Sequence, residues 1–475
     1  MNQTQNKEKK YSFQILQFGE GNFLRAFVDW IIQKTNDKLD LNIGIVIVKP
    51  REKGSMIERL KKQDCKYHVI LEGIKDGKPV REIQKIDCIK DAVNPYSEYQ
   101  KYKKYFLNSK LKFIISNTTE AGITRLPNVN IFDEPPVSYP AKIVALLYER
   151  FKFFKGDSGK GLNIICCELI ENNASVLKEI VLELANENKL PAEFIKWVNK
   201  SCSFCNSLVD RIVTGFPKDN IKNIQKELGV EDNLIVVGEY YHLWAIEGNE
   251  HIKEELPFYK AGLNVLLLND LKDYRDKKVR VLNGAHTALV PIGLLSGYTT
   301  VKEAYENTDI SVYINKLISD EVLPNISGDK EELKQFANGI LERFLNPYIK
   351  HYLKSISLNS ISKWITRDYP SLKDDYKSTG KLPKRITFSL ASLLVLYSPE
   401  NKIRFKANDT QELLDIMEKI YTCNDTVENK IVEILSNVEI WGDEIAKFSE
   451  LHHAVAFYVQ QILSFGIKET LKKLD

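Results

Sequence analysis

The segment Lys278-Val-Arg-Val-Leu-Asn283-Gly-Ala-His286 puts an amine, a side-chain amide and an imidazole in one short stretch. In a regular α-helix, at about 100° per residue, His286 falls roughly 80° and Asn283 roughly 140° around the axis from Lys278. The three can then share one side of a helix whose other residues are mostly apolar. Apolar surroundings disfavour an ammonium relative to the neutral amine, so the pKa of Lys278 is expected to fall. Such a lysine could exchange a proton with an alcohol near neutral pH. Asn283 could hydrogen-bond an oxygen that gains negative charge, and His286 could orient a neighbouring hydroxyl. Spacing leaves the plainer readings open. These are a solvated lysine at a helix start, an Asn-Gly turn that ends the helix, and a core histidine.

A second constellation is Gln14-Ile-Leu-Gln-Phe-Gly19-Glu-Gly21-Asn-Phe-Leu24-Arg25, an apolar run, a glycine turn and a helical stretch. Gly19 permits a tight turn, Gly21 lets a pyrophosphate approach the backbone, and the following helix offers free N–H groups to it. The third glycine of the usual G-x-G-x-x-G is replaced by Leu24. The candidate dinucleotide-binding residues are therefore Phe18, Gly19, Glu20, Gly21, Asn22, Phe23, Leu24 and Arg25. An acid is expected at the end of the next apolar run to hold a ribose 2′-hydroxyl. That run, Ile45-Val-Ile-Val48, is instead followed by Lys49-Pro50-Arg51. Basic residues there suit a 2′-phosphate, so local chemistry favours NADP over NAD. Ser116-Asn117-Thr118-Thr119-Glu120 follows another apolar run and should face the same ligand, since ligands bind beyond the carboxyl ends of parallel strands. A plain Asx or Ser/Thr turn would account for it equally well.

These residues need elements to position them. Phe13 to Phe18, Ile43 to Val48, Phe113 to Ser116 and Leu162 to Cys167 read as strands, with helical patterns between them and a helix over Phe23 to Lys34. That alternation predicts βαβ units and a parallel sheet. Leu234 to Val237 and Tyr240 to Ile246 read as a hairpin or one bulged strand around Gly238-Glu239, and Leu263 to Leu268 as a further strand. Beyond Leu271 helical periodicity dominates, including Lys278 to Leu294, Asp309 to Val322, Ile349 to Ile365 and Leu451 to Leu474. The expected class is α/β. A Rossmann-like dinucleotide-binding domain spans 1–272 and a mostly α-helical domain spans 273–475.

The chain has 475 residues, 43% of them hydrophobic and 28% charged, with a net charge of +3. That balance suits a globular protein of two domains, with no basic stripe for nucleic acid. No apolar run is long enough for a membrane span, and no apolar h-region follows the polar start, so a cytoplasmic protein without a signal peptide is expected. Seven irregularly placed cysteines suggest no disulfide framework. Cys202 and Cys205 have no second ligand pair for zinc and read as buried thiols, as do Cys166 and Cys167. His452-His453, without an acidic partner at metal spacing, reads as structural. No metal is expected. Monomer and homodimer are both open.

Phe18-Gly-Glu-Gly-Asn-Phe-Leu-Arg-Ala26, Asn206-Ser-Leu-Val-Asp-Arg211, Lys278…Asn283…His286 and Arg343-Phe-Leu-Asn-Pro347 resemble the mannitol dehydrogenase family, the polyol-specific long-chain dehydrogenases. The match runs in order through nearly the whole chain. Longer stretches, Ser116-Asn-Thr-Thr-Glu-Ala-Gly-Ile123 and Leu282-Asn-Gly-Ala-His-Thr-Ala-Leu-Val-Pro291 among them, are similar to the members that act on sugar acids. The resemblance implies a zinc-independent oxidoreductase that uses NAD and interconverts a secondary alcohol and a ketone. It implies that Lys278 is the general acid/base, that Asn283 polarises the reacting oxygen and that His286 binds substrate hydroxyls. By the same resemblance Asp210 is a substrate-site acid and Lys363 a substrate-binding lysine.

Two departures bear on the substrate. The family's polyol enzymes carry an asparagine where this chain has Leu169, after Cys167-Glu168, and an arginine where it has Ser355. His351, Lys363 and Arg367 are the candidates for holding a sugar-acid carboxylate, which needs fixed cationic donors. The alternatives are another sugar acid or a polyol, and a catalytically silent nucleotide-binding regulator. The last would be expected if Lys278 or Asn283 were missing.

Overall fold

The computed structural model describes residues 10–474 except 76, 249, 349, 402 and 404, with residue 120 described by its backbone only. The chain divides into two compact units. One comprises residues up to Gly73 together with Pro79–Leu271, and the other comprises Ile74–Lys78 and Lys272 onward.

The first unit is built on a six-stranded, all-parallel sheet. Its order is Ile89–Val93, Ile43–Val48, Ser12–Phe18, Phe113–Ser116, Asn163–Cys166, Ser203–Cys205. The central strands are buried on both faces, and Ile-Gly-Ile-Val-Ile-Val over Ile43–Val48 shows why they read as continuous apolar runs. The chain winds outward from Ser12–Phe18 in one direction, then returns to place Phe113–Ser116 on its other side. The strand order therefore reverses between these two strands, and the crevice at their carboxyl ends is where an open α/β sheet takes its ligand. Helix Tyr139–Phe153 starts beside that crevice. Ser138 caps it by accepting from the Ala141 N–H, and Pro140 sits in its first turn.

Two smaller sheets complete this unit, and several of their strands, Tyr67–Lys75, Lys78–Ile86, Ser207–Asp210 and Val213–Gly215, were not foreseen. Tyr67–Lys75 and Lys78–Ile86 are strands of a four-stranded sheet with Val236–Glu239 and Val213–Gly215. The segment expected as a hairpin or one bulged strand around Gly238-Glu239 is two strands in different sheets: Val236–Glu239 pairs with Tyr67–Lys75, and Leu243–Glu247 pairs with Ser207–Asp210 and Val265–Leu268. The buried guanidinium of Arg211 holds the crossing between them. It donates to the carbonyls of Tyr241 (3.1 Å), Tyr240 (3.3 Å) and Ala26 (2.5 Å).

That last bond explains another difference. The helix expected over Phe23 to Lys34 is two helices, Asn22–Ala26 and Val28–Leu39, broken at Phe27. Arg211 takes the Ala26 carbonyl that an uninterrupted helix would have used for its own ladder.

The second unit is helical. Lys384–Tyr397 is buried from Arg385 to Leu396, and Gly284–Leu295 is almost as enclosed, so these two apolar helices pack together at its centre. The helix expected over Ile349 to Ile365 is two pieces, Leu353–Ile356 and Ser360–Arg367, separated at Asn359, which adopts φ 51°; residue 349 lies outside the described residues. Gly466, at φ 83°, likewise splits the expected last helix into Ser449–Phe465 and Ile467–Lys472.

Candidate functional site

In the second unit, Lys278–Asn283 is a π-helical turn between helices Lys272–Lys277 and Gly284–Leu295. The Gly284 N–H donates to the carbonyl of Val279, five residues back. This corrects the geometry read from a regular helix. An i→i+5 turn winds fewer degrees per residue, so Asn283 comes closer to Lys278 around the axis than the roughly 140° of a regular helix. Both residues are partly buried.

One turn further on, the His286 ring packs against Phe344 at 4.3 Å and edge-on to His351 at 5.0 Å. Its Nδ1 lies 3.0 Å from the Leu282 carbonyl. A carbonyl only accepts, so Nδ1 carries the hydrogen and Nε2 keeps a lone pair. Burial, then the charges of His351 and Arg343, hold the imidazole well below its ordinary pKa, so it is neutral at neutral pH. Burial and Arg343 depress His351 in the same way.

Helix Ser360–Arg367 packs beside Gly284–Leu295 and brings two cations. Arg367 donates to the Thr287 hydroxyl at 3.3 Å, and that hydroxyl donates to the Asn283 carbonyl at 2.9 Å. Lys363 donates to the Ile356 carbonyl at 2.8 Å. Its pKa is lowered by burial first and by Arg367 second. The structure thus gathers His286, His351 and Arg367 around the start of helix Gly284–Leu295, with Lys363 one turn before Arg367. It adds Arg343, whose charge reaches both histidines. In the sequence Arg343 stands out only as the first residue of Arg343-Phe-Leu-Asn-Pro347. A cation three turns into a helical pattern gives no local sign that it faces two histidines.

Behind this group lies Asp368, 2% exposed. Its Oδ1 sits 2.7 Å from where a side chain on Gly284 would begin, and its Oδ2 has no hydrogen-bond partner among the described residues. Burial raises its pKa well above the ordinary value, against the pull of Arg367.

In the first unit the glycine turn closes over the end of strand Ser12–Phe18. Gly19 has φ 134°, and a Cβ there would meet the Asn117 carbonyl oxygen and a Leu24 methyl at 2.8 Å, so only glycine fits. Gly21 is different: a Cβ there would meet nothing within 4 Å, which leaves its backbone open to a phosphate-bearing ligand. Beyond it, Pro50, Arg51, Thr118, Thr119, Leu126 and Tyr139 line part of a cleft of about 200 Å³ at the carboxyl ends of the strands. Thr119 holds φ 79°, rare for a β-branched residue. Backbone strain of this kind persists where surrounding structure fixes it, and often beside ligands.

Three residues of the glycine motif lie inward. Phe18 and Leu24 are in the core, and Arg25, 2% exposed, donates to the Leu234 carbonyl at 2.6 Å and to Asn22 Oδ1 at 2.7 Å. Phe23 stacks on Phe27 at 4.9 Å. These four brace the turn from beneath. Lys49 is also buried, and its ammonium donates to the Gly54 carbonyl at 2.5 Å, so it is already committed within the chain.

Glu168, read from the sequence only as part of a departure, holds the Asn117–Thr119 loop. Its carboxylate accepts from the Thr118 N–H and hydroxyl and from the Ser116 hydroxyl. Asn117 donates to the Cys167 carbonyl at 2.7 Å. An acid directly after the apolar run Ile164-Ile-Cys-Cys167 was the available signal. Next to it Leu169 is 67% exposed. The backbone of Glu120 enters a short 3₁₀ turn, Glu120–Gly122.

Asp210 ends strand Ser207–Asp210 in the first unit, paired with Leu243. Cys166, Cys167, Cys202 and Cys205 are buried free thiols. His452 is buried with Nε2 against the Ile445 carbonyl at 2.8 Å, while His453 is exposed beside Glu428. Among the described residues, no group of three or more His, Cys, Asp or Glu could hold a metal ion, and no helix is long and apolar enough to cross a membrane.

The family profile described as the mannitol dehydrogenase Rossmann domain matches residues 13–260, and that of the mannitol dehydrogenase C-terminal domain matches residues 270–463. An altronate oxidoreductase of Bacillus subtilis is 44% identical over 98% of this chain and 95% of its own. One from Phocaeicola vulgatus is 42% identical over 96% of each. Among solved structures, D-sorbitol dehydrogenase in substrate-free form shares the fold with a TM-score of 0.82 at 22% identity, covering 98% of this chain and 95% of its own. Pseudomonas fluorescens mannitol 2-dehydrogenase, solved with NAD and D-mannitol, does so with a TM-score of 0.70 at 22% identity, covering 98% and 94%.

Proposed function

The chain belongs to the mannitol dehydrogenase family, and from that premise we propose that it reduces D-tagaturonate to D-altronate, reversibly, with NAD(H) as cofactor. The observation that carries the reading is full-length similarity to altronate oxidoreductases in a chain that also sets Lys278 and Asn283 in one π turn, ahead of a helix start that gathers His286, His351 and Arg367. When bound, the nicotinamide supplies or accepts the hydride.

Residues 1–272 hold the nucleotide. The backbone of Gly19, Glu20, Gly21 and Asn22 takes the pyrophosphate. Asn117, Thr118, Thr119 and Glu120 face the same ligand, and Arg51 lines its cleft. Phe18, Phe23, Leu24 and Arg25 act on it by shaping the turn, and Lys49 by holding the loop after the second strand through the Gly54 carbonyl. The open backbone at Gly21 and the cleft at the sheet's switch point support this assignment.

Residues 273–475 supply the proton chemistry. The ammonium of Lys278 gives its proton to the ketone oxygen as that oxygen becomes an alkoxide, and takes it back in the reverse direction. The Asn283 amide donates a hydrogen bond to the same oxygen. His286, neutral with its lone pair on Nε2, accepts from a substrate hydroxyl. Lys363 and Arg367 hold the carboxylate as cations, and His351, whose charged form burial disfavours, as a neutral N–H donor. Asp210 takes a further hydroxyl.

The test is NADH oxidation, followed at the nicotinamide absorbance, with tagaturonate, fructuronate and fructose side by side, for the wild type and Lys278→Ala. Tagaturonate should be reduced with the highest kcat/KM, and Lys278→Ala should lose most of that activity. Equal turnover of fructose and tagaturonate, or a fully active Lys278→Ala, would overturn the reading.

A further inference from the structure

We infer that Glu20 makes this chain select NAD over its 2′-phosphorylated form, taking the place of the acid missing from the end of the second strand. The inference rests on the dinucleotide-binding reading and concerns one residue of it.

The geometry starts from the sheet. Strands Ser12–Phe18 and Ile43–Val48 pair in parallel with Phe18 opposite Val48, and the Gly19 N–H donates to the Val48 carbonyl at 3.1 Å. Glu20 therefore emerges level with Lys49-Pro50-Arg51, at the place where an adenosine ribose meets a dinucleotide-binding sheet. The backbone bond at Gly19 fixes this juxtaposition of the two turns.

The local charges decide what such a site accepts. Lys49, the residue that made a 2′-phosphate look welcome, is buried with its ammonium on the Gly54 carbonyl. Arg51 is exposed and lines the cleft. Glu20 is partly buried, which raises the pKa of its carboxyl, and the charges of Lys49, Arg51 and Arg25 pull the other way. A carboxylate there occupies Arg51 electrostatically, accepts a hydrogen bond from a ribose 2′-hydroxyl, and repels a 2′-phosphate.

The experiment measures binding as well as turnover. NADH and NADPH are titrated by fluorescence into the wild-type protein, Glu20→Gln, Glu20→Ser and Glu20→Gln/Arg51→Ala, with 5′-ADP and 2′,5′-ADP as competing probes. The wild type should bind NADH at least tenfold tighter than NADPH. Both single variants should move that ratio toward NADPH by tenfold or more, and loss of Arg51 should reverse the gain. Proportional weakening of both nucleotides, or an unchanged ratio, would overturn the inference while leaving the dehydrogenase reading intact. A wild type that binds neither nucleotide would overturn both.

Discussion

Oε1 of Glu168 accepts both the backbone N–H and the hydroxyl of Thr118, each at 2.9 Å. Because Oε2 also accepts from Ser116 at 3.0 Å, this one buried carboxylate fixes the loop proposed to face the cofactor. Truncation to alanine would leave buried donors unpaired, at a cost of about 1–3 kcal/mol each. Glu168→Ala is expected to weaken NADH binding about tenfold or more and to lower the thermal midpoint, whereas Glu168→Gln, which keeps one oxygen, should lose less. A Glu168→Ala protein with wild-type affinity for NADH would refute this role for the carboxylate.

Lys278 and Asn283 act on the same oxygen in the proposed reaction and share one π turn. Removing a general acid/base typically costs 10²–10⁴-fold in rate. Lys278→Ala is expected to lose kcat by about that factor while its dissociation constant for NADH, measured by fluorescence, stays within about twofold of wild type. Asn283→Ala should reduce kcat with a smaller effect on KM. Combined loss well short of the product of the single losses is expected, since residues that act together are not additive. Independent, multiplicative effects would argue against a shared oxygen.

The carboxylate assignment predicts a substrate-dependent defect. A hydrogen bond to a charged group contributes about 1.5–3 kcal/mol, so Lys363→Met should raise KM for a uronate roughly 10- to 150-fold and leave KM for an uncharged ketose nearly unchanged. Arg367→Met should behave alike, with an added loss through its contact to Thr287. Parallel rises for both substrates would place these cations outside the carboxylate subsite.

Asp368 predicts an alkaline trend in stability. Its folded pKa is raised by burial, so the fold favours the protonated form. The resulting stability is complete below the ordinary aspartate value of about 4 and is lost as pH rises toward the folded value, by at most about 1.4 kcal/mol per pH unit. Asp368→Asn, neutral at every pH, should be less sensitive. Urea unfolding across pH 4–9 should therefore show the variant gaining on the wild type as pH rises; a constant difference would contradict a neutral Asp368.

His242 predicts the opposite slope. Its Nε2 accepts the Asn264 N–H at 3.0 Å, and burial pushes its pKa down to about 3. The unfolded chain takes up a proton near pH 6.5 that the folded chain refuses, so stability is present above that value and declines as pH falls toward 3. His242→Gln, which keeps an acceptor but cannot titrate, should flatten part of the acid limb measured by urea midpoints. An unchanged acid limb would show that the ring escapes the constraint.

The parallel sheet, the glycine turn and the helical second half were legible in the sequence because each rests on local pattern: buried β-branched runs, a glycine that must hold φ 134°, apolar periodicity. The family resemblance likewise needed only ordered motifs. Other features were settled by partners distant in the chain. Arg211 breaks the first helix by taking the Ala26 carbonyl, Lys49 is buried with its ammonium on the Gly54 carbonyl, and Glu168 ties down Thr118. The hairpin of Tyr67–Lys75 with Lys78–Ile86 was missed because half of it alternates with exposed polar residues and acquires its meaning from the neighbouring strand Val236–Glu239. The π turn at Lys278–Asn283 is the sharpest case. Residue types name the amine and the amide, but the wider winding of one turn decides how near they lie around the axis, and that turn packs against helices Lys330–Phe344 and Ser360–Arg367, which lie far along the chain.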